Sequence, residues 1–473
     1  MGSRRALLAA NHRGRVREPF EGSRFTSTLI SVLALLSIPA CPRSKLPKPD
    51  GAAVVVTPEP KPGGDVTAVP EVEPNDTISK AQRLVVTPGA PVAVSGAVAW
   101  PVKGKPDVDT FRIGMPGPDG GVPDAAPVVA AGPDGAVPPP PRPQFMARVD
   151  VTPEATVAVK IEVLDTVGRT VISASGAEPG QMVSIPNLPI SLAAPFVRVR
   201  RAAAGDAPGS YKIVVRAMAL EPGAELEPDD AITQANELSL PGEAIGFLGW
   251  RRDQDVFRVN TSAVADGSVL AADLDPIEAV SSRLAIADAT GKKLSEARGR
   301  RGERVALRNV LVPAGTTQLF VIASSDFGWS ADQRYDLRVS AELPKAGGEV
   351  EPNDDPAHAQ VVTDGTVQGY LGRGDVDVFK YAAAAPVMLT VEVAPPERAT
   401  AKLEIANEEG VVLSRGKPTG KGRKPLRASM RVEGGNVLIR VIAGGGEGNP
   451  DDPYRLTISS APAASDTPAP PAE

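Results

Sequence analysis

Oxygen-bearing side chains recur in this chain at one spacing. Glu71, Glu73, Asn75 and Asp76 flank Pro74, and the same phrase returns as Glu225-Leu226-Glu227-Pro228-Asp229-Asp230 and as Glu349-Val350-Glu351-Pro352-Asn353-Asp354. About 25 to 35 residues after each opening comes an Asp-x-Asp ahead of a strand-like run: Asp107 and Asp109 before Phe111, Asp253 and Asp255 before Phe257, Asp375 and Asp377 before Phe379. Carboxylates and amides are hard donors, and calcium takes about six to eight oxygens at about 2.3–2.6 Å. In an extended segment Glu71 and Glu73 point the same way, because the strand period is two. If the fold brings the phrase against the mouth of the next strand, six oxygen-bearing side chains converge. The plainer alternative is structural: Asn75-Asp76-Thr77 as the cap of a short helix and Asp-x-Asp as a turn. Under either reading the role is stabilising and not catalytic.

Other chemistry is scarce. The chain has 473 residues and two histidines. His12 lies in the leader, and His358 sits inside the third phrase where the first unit has Lys80. A Ser-His-Asp triad or a histidine zinc site is therefore hard to assemble. Asp165-Thr166-Val167-Gly168 is matched by Asp288-Ala289-Thr290-Gly291 and Glu408-Glu409-Gly410, which marks a hairpin turn. Gly444 to Gly448 lacks the Lys-Ser/Thr of a phosphate-binding loop. The expectation is a protein that is not an enzyme and takes no small-molecule substrate. A hydrolase using a carboxylate pair is the remote alternative.

The only cysteine, Cys41, ends the one strong apolar run. Residues 25–40 carry no charge, and Arg13, Arg15, Arg17 and Arg24 precede them. A basic region, a short apolar core and a small residue at the break make an export signal. The run is 16 residues, whereas a permanent span needs about 20. Ile38-Pro39-Ala40-Cys41 resembles the lipobox of bacterial lipoproteins, in which the cysteine is lipidated and becomes the first residue. An ordinary secretory signal is the alternative. The expectation is an exported protein of the cell envelope, lipid-anchored at Cys41 and held at the outer membrane or cell surface. The formal net charge is −6, and losing a leader with six Arg and two Glu makes it more acidic, which argues against nucleic acid as a partner.

The mature chain is built from repeats. Pro (49) and Gly (46) are abundant, which suits short strands joined by turns. After each phrase comes a short helical or coil stretch (SKAQRL, TQANEL, AHAQVV), then a strand ending in Gly-x-[Val/Leu/Tyr], then the Asp-x-Asp strand, a hairpin, and two closing strands of which the second opens on Tyr211, Tyr335 or Tyr454. Six to eight alternating strands per unit predict an all-β chain of three tandem β-sandwich, jelly-roll-like domains. The expected division is a signal peptide at 1–41, a Pro/Gly-rich linker at 42–69, sandwiches at 70–221, 222–345 and 346–461, a disordered insertion at about 116–143, and a disordered tail at 462–473.

The ordered pattern E-x-E-P-N-D, G-x-[VL], D-x-D-x-[FY], Y-x-[LI]-x-[VI] resembles the bacterial pre-peptidase C-terminal domain, a relative of the collagen-binding modules of clostridial collagenases. The resemblance covers nearly all of residues 70–460 as three tandem copies. In those relatives the phrase and the later aspartates bind calcium. The resemblance therefore implies ligand sets at Glu71, Glu73, Asn75, Asp76, Asp107 and Asp109; at Glu225, Glu227, Asp229, Asp230, Asp253 and Asp255; and at Glu349, Glu351, Asn353, Asp354, Asp375 and Asp377. The relatives bind collagen through exposed aromatics on a strand face, and no such stripe is visible here.

Aromatics are only 4% of residues. The three closing-strand tyrosines read as core or corner residues, and Trp100 and Trp250 share a structural position. Phe327-Gly328-Trp329 has no counterpart in the other units. It is either an interaction tip, with Phe327 and Trp329 as binding residues, or a loop folded onto its own sandwich. Basic loops follow the hairpins of units two and three: Lys292, Lys293, Arg298, Arg300, Arg301 and Arg304, then Arg415, Lys417, Lys421, Arg423, Lys424 and Arg427. They are either solvated or a contact for anionic polysaccharide or lipid headgroups. The expected function is non-catalytic binding or scaffolding, with envelope polysaccharide or another envelope protein as partner. The alternative is an accessory, targeting or inhibitory, of a secreted peptidase.

Overall fold

The computed structural model describes residues 65–100, 105–117, 120–122, 142–190, 195–203, 205–420, 425–445 and 448–463. The leader with Cys41, most of the 42–69 segment, most of the 116–143 insertion, nearly all of the tail, and Lys421, Arg423 and Lys424 lie outside the described residues. All the described strands belong to one compact unit, Gly63–Glu473.

Among the described residues the secondary structure is strand and turn, without a helix. Six sheets pair as three sandwiches. In the first, one sheet runs Thr67–Pro70, Val92–Trp100, Gly205–Ala219, Phe145–Pro153, Val183–Ile190; the other runs Gln82–Val85, Val108–Gly114, Phe196–Arg201, Val159–Leu164, Thr170–Ser175. The second repeats this order with Gly242–Gly246, Tyr335–Glu342, Val269–Leu274, Val305–Leu311 over Asn236–Leu238, Gln254–Asn260, Gln318–Phe327, Ser281–Ala287, Lys293–Arg301. The third uses Gly365–Leu371, Asn449–Pro462, Val387–Ala394, Leu426–Val432, Lys417–Pro418 over Gln360–Val362, Val376–Ala383, Gly435–Gly444, Thr400–Ala406, Val412–Arg415.

Alternation builds each core. Val159, Ile161 and Val163 face inward from one strand, while Lys160 is half-buried on the other side. Phe111, Phe257 and Phe379, two residues after each Asp-x-Asp, are completely buried at the same place in the three cores. Removing such a ring costs about 3–5 kcal/mol, so the second aspartate of each pair is fixed on a strand that the core cannot release, with the first just ahead of it. The hairpins turn where the sequence predicts, with Gly168, Gly291 and Gly410 at φ 86°, 83° and 82°.

Three expectations are corrected. Each sandwich has nine or ten strands, not six to eight. The stretches read as helix or coil end instead in short strands, Gln82–Val85, Asn236–Leu238 and Gln360–Val362, which pair in parallel with the Asp-x-Asp strands. No helix forms there for Asn75-Asp76-Thr77 to cap; the backbone polar groups are satisfied across the sheet instead. Thr67–Pro70, of which 67–69 were expected as linker, is a strand parallel to Val92–Trp100.

Candidate metal centres

Each phrase is carried onto the Asp-x-Asp strand by hydrogen bonds from that strand's backbone N–H groups. Thr110 N–H reaches the Asn75 carbonyl at 3.1 Å and Val378 N–H the Asn353 carbonyl at 2.9 Å. In the second module Gln254 N–H donates to Asp230 Oδ1 at 3.2 Å. An amide side chain clips the phrase from behind. Val72 N–H donates to Gln82 Oε1 at 3.1 Å, Leu226 N–H to Asn236 Oδ1 at 3.1 Å, and Val350 N–H to Gln360 Oε1 at 2.9 Å. The second glutamate of each phrase accepts the N–H two residues on: Glu73 from Asn75 at 2.9 Å, Glu227 from Asp229 at 3.2 Å, Glu351 from Asn353 at 2.8 Å. The intervening Glu–Pro bond is cis in all three.

The first glutamate sits over a bare glycine. A Cβ on Gly96, Gly246 or Gly369 would collide with the carboxylate of Glu71, Glu225 or Glu349 and with the phenol oxygen of Tyr211, Tyr335 or Tyr454. The closing-strand tyrosine crosses that gap. Tyr211 Oη lies 3.2 Å from Glu71 Oε1 and 2.6 Å from Asp109 Oδ2. Tyr335 lies 3.0 Å from Glu225 Oε2 and also meets Asp255, and Tyr454 donates to Glu349 Oε2 at 3.0 Å. A phenol has one hydrogen. Between two carboxylates it satisfies one, and the other needs a proton or a cation.

Carboxylate oxygens gather within 4.8 Å of one another as Glu71, Glu73 and Asp109 in the first module. The second has two overlapping groups, Glu225, Asp229 and Asp255 with Glu227, Asp253 and Asp255; so has the third, Glu349, Glu351 and Asp377 with Glu351, Asp354 and Asp375. Asp107 and Asp230 fall outside these groups but act on Asp109 and Glu227 through their charge, and Asp76 is exposed. Asn75 and Asn353 are fully buried, and neither their Oδ1 nor their Nδ2 has a partner. Buried oxygens without partners also occur on Asp109, Glu227, Asp229, Asp253, Asp255 and, twice, on Asp377. Orphaned buried oxygens are costly unless an ion or water serves them. The donor set is all oxygen, several carboxylates per centre, and it fits a hard divalent cation.

Burial, first, pushes the acids upward: Asp109 to about 8, Glu225 to about 7, Asp229 to about 10, Glu349 to about 8 and Glu351 to about 9. Glu227, Asp253, Asp255 and Asp377 are raised well above the usual carboxylate range. After desolvation the next charges acting on Glu227 are Asp253, Asp229, Glu225 and Asp230, all of the same sign. Desolvated carboxylates facing one another require protons or a bound cation.

The centres differ in cover. Glu73 is exposed and Glu71 half-buried, whereas Glu225, Glu227, Glu349 and Glu351 are buried. The preceding module supplies the cover. Trp250 of the second module packs into the core of the first, and Arg148 of the first donates to the Ala331 carbonyl at 2.6 Å. A cavity of about 110 Å³ between the second and third modules is lined by Arg308, Glu349, Glu351, Asp354 and Asp375 among others. Trp329 is half-buried and lines the seam of the first two modules with Trp250 and Met182. Phe327 is 62% exposed, with the Arg301 guanidinium 4.8 Å from its ring centre. His358 is an exposed residue bonded to Asp355. Sequence reading missed the tyrosines, the glycines and the clipping amides as parts of the site. Their recurrence at fixed places in each repeat was the available signal.

No protein-family model and no curated protein matches the sequence. Among solved structures, the chain is similar to a pre-peptidase C-terminal domain of collagenase from Bacillus anthracis, at 17% identity over 21% of this chain and 94% of that one, with a TM-score of 0.19. It is also similar to a putative secreted protein from Eubacterium rectale (7% identity, 49% of this chain, 81% of that one, TM-score 0.18). A third is the PBSX exported protein XepA (12% identity, 42% of this chain, 76% of that one, TM-score 0.13).

Proposed function

We propose that this chain is an exported, non-catalytic envelope protein, lipid-anchored at Cys41, whose three sandwiches form a calcium-stiffened scaffold for an envelope polysaccharide or protein. The observation that carries the metal part is the set of buried carboxylate oxygens without partners, on Asp255, Asp253, Asp229 and Glu227 in one centre and on Asp377 in another. A divalent ion would be held by Glu71, Glu73 and Asp109 in the first module, by Glu225, Asp229 and Asp255 in the second and by Glu349, Glu351 and Asp377 in the third, with Asn75 or Asn353 beside them in the first and third. It would supply positive charge among carboxylates that otherwise face one another. The same carboxylates are poor candidates for hydrolysis, because those of the second centre are closed off from solvent. Export and anchoring are supported by the uncharged run at 25–40 and the cysteine that ends it.

The test is thermal unfolding of the full chain in chelator and in calcium, with mass spectrometry of the exported protein for a diacylglyceryl-modified Cys41. No calcium-dependent shift removes the metal, and an unmodified amino terminus removes the anchor.

A further inference from the structure

The second acidic centre is not enclosed by its own module alone. Asn187, on strand Val183–Ile190 of the first module, is 2% exposed. Its Nδ2 donates to Glu225 Oε1, while its Oδ1 is buried without a partner. Its carbonyl accepts Glu227 N–H at 3.2 Å. One residue of the first module therefore touches both glutamates of the second module's phrase.

A β-bulge places it there. Ala147 pairs with Leu188 and Val149 with Ile185, so Pro186 and Asn187 together oppose Arg148. The next seam repeats the device. Leu270 pairs with Val310 and Ala272 with Leu307, so Arg308 and Asn309 oppose Ala271. Asn309 takes φ 55°, a left-handed conformation that asparagine tolerates. Its carbonyl accepts Glu351 N–H at 2.9 Å, and Leu311 N–H returns to the Glu351 carbonyl at 2.8 Å. In the third module Leu389, Thr390 and Val391 pair one to one with Met430, Ser429 and Ala428. The extra residue is present in the two strands that meet a following module and absent from the third. Bulges re-aim the chain in this way.

We infer that the cation centre of the second module is shared between modules, with Asn187 of the first supplying a neutral oxygen ligand to the ion held by Glu225, Asp229 and Asp255. This rests on the calcium reading above. A half-turn of the amide exchanges Nδ2 for Oδ1 at nearly the same point, so the group that bonds Glu225 without an ion coordinates the ion when it enters. A neutral donor adds no charge to a centre already crowded with carboxylates. The ion then binds fully only when the two modules are docked. By linkage, calcium tightens docking by the same factor as docking tightens calcium.

The test uses the full chain with calcium titrated by calorimetry, and with small-angle scattering in chelator and in calcium. Asp255→Asn identifies the second centre's share of the isotherm. Asn187→Ala is expected to weaken that share by about tenfold or more, since loss of even an outer-sphere partner costs that much, and to leave the other two centres unchanged. It should also reduce the calcium-induced compaction seen by scattering. Asn187→Asp keeps the oxygen and is expected to restore wild-type or tighter binding, which keeps the test valid if the alanine variant folds poorly. Wild-type affinity in Asn187→Ala, or weak binding in a folded Asn187→Asp, would overturn the shared centre while leaving the calcium reading intact. A wild-type chain that takes up no calcium overturns both.

Discussion

Tyr335 and Glu225, 110 residues apart in sequence, meet at 3.0 Å across the bare backbone of Gly246. The same phenol also contacts Asp255, so the last strand of the module, its opening phrase and its Asp-x-Asp strand are joined at one oxygen. The arrangement recurs at Tyr211 with Glu71 over Gly96 and at Tyr454 with Glu349 over Gly369.

Gly246→Ala should therefore be destabilising, although alanine normally suits a strand at least as well as glycine. The added methyl falls on the Tyr335 oxygen and the Glu225 carboxylate. Overpacking of this kind costs about 1–3 kcal/mol. Urea unfolding measures it, and a variant as stable as the parent would show that the centre has room for the methyl.

Asp377→Asn should have opposite effects with and without the ion. Both Asp377 carboxylate oxygens are buried without partners, and Glu349, Asp375 and Glu351 repel it. Neutralising it in chelator relieves that repulsion and raises the melting temperature. In calcium the same change removes a ligand and lowers the melting temperature relative to wild type. A shift of the same sign in both buffers would contradict a cation centre there.

Stability should depend on pH in a way set by these raised acids. Their folded values lie above the unfolded range near 4, as at Glu349, raised to about 8, and Asp229, raised to about 10. Between those limits the folded state holds more protons than the unfolded one, so stability falls as pH rises. Without calcium the protein should be more stable near pH 5 than near pH 8. Saturating calcium, which replaces the protons, should flatten that slope. Melting curves across that range in both buffers decide it, and a chelated protein most stable at pH 8 would refute the assignment.

The first centre should exchange its ion fastest. Glu73 is exposed and Glu71 half-buried, whereas the corresponding glutamates of the other two modules are buried under a preceding sandwich. Stopped-flow chelation of terbium-loaded protein should show one fast and slower components. The fast one should vanish in Asp109→Asn and persist in Asp255→Asn. Uniform release rates would mean that the cover does not gate access.

The chain's own order of residues settled the repeat, the all-β architecture and the hairpin turns. Alternating apolar positions and positive-φ glycines such as Gly168 and Gly291 are local properties, and local sequence encodes them. It also brought Glu71, Glu73 and Asp109 under suspicion, because carboxylates repeated at one spacing need a common reason. What it did not reveal was which residues close each centre. Tyr335 reaches Glu225 and Asp255 across 110 and 80 residues of sequence, and Gly246 and Asn236, though nearer, meet the Glu225 carboxylate and the phrase backbone only once the strands have paired. The short strands Gln82–Val85 and Gln360–Val362 likewise formed only because a parallel partner was available. Asn187 lay furthest from view. One inserted residue in an edge strand turns a side chain toward the next module, and only the docked sandwiches decide whether such an insertion faces solvent or a neighbour's carboxylates.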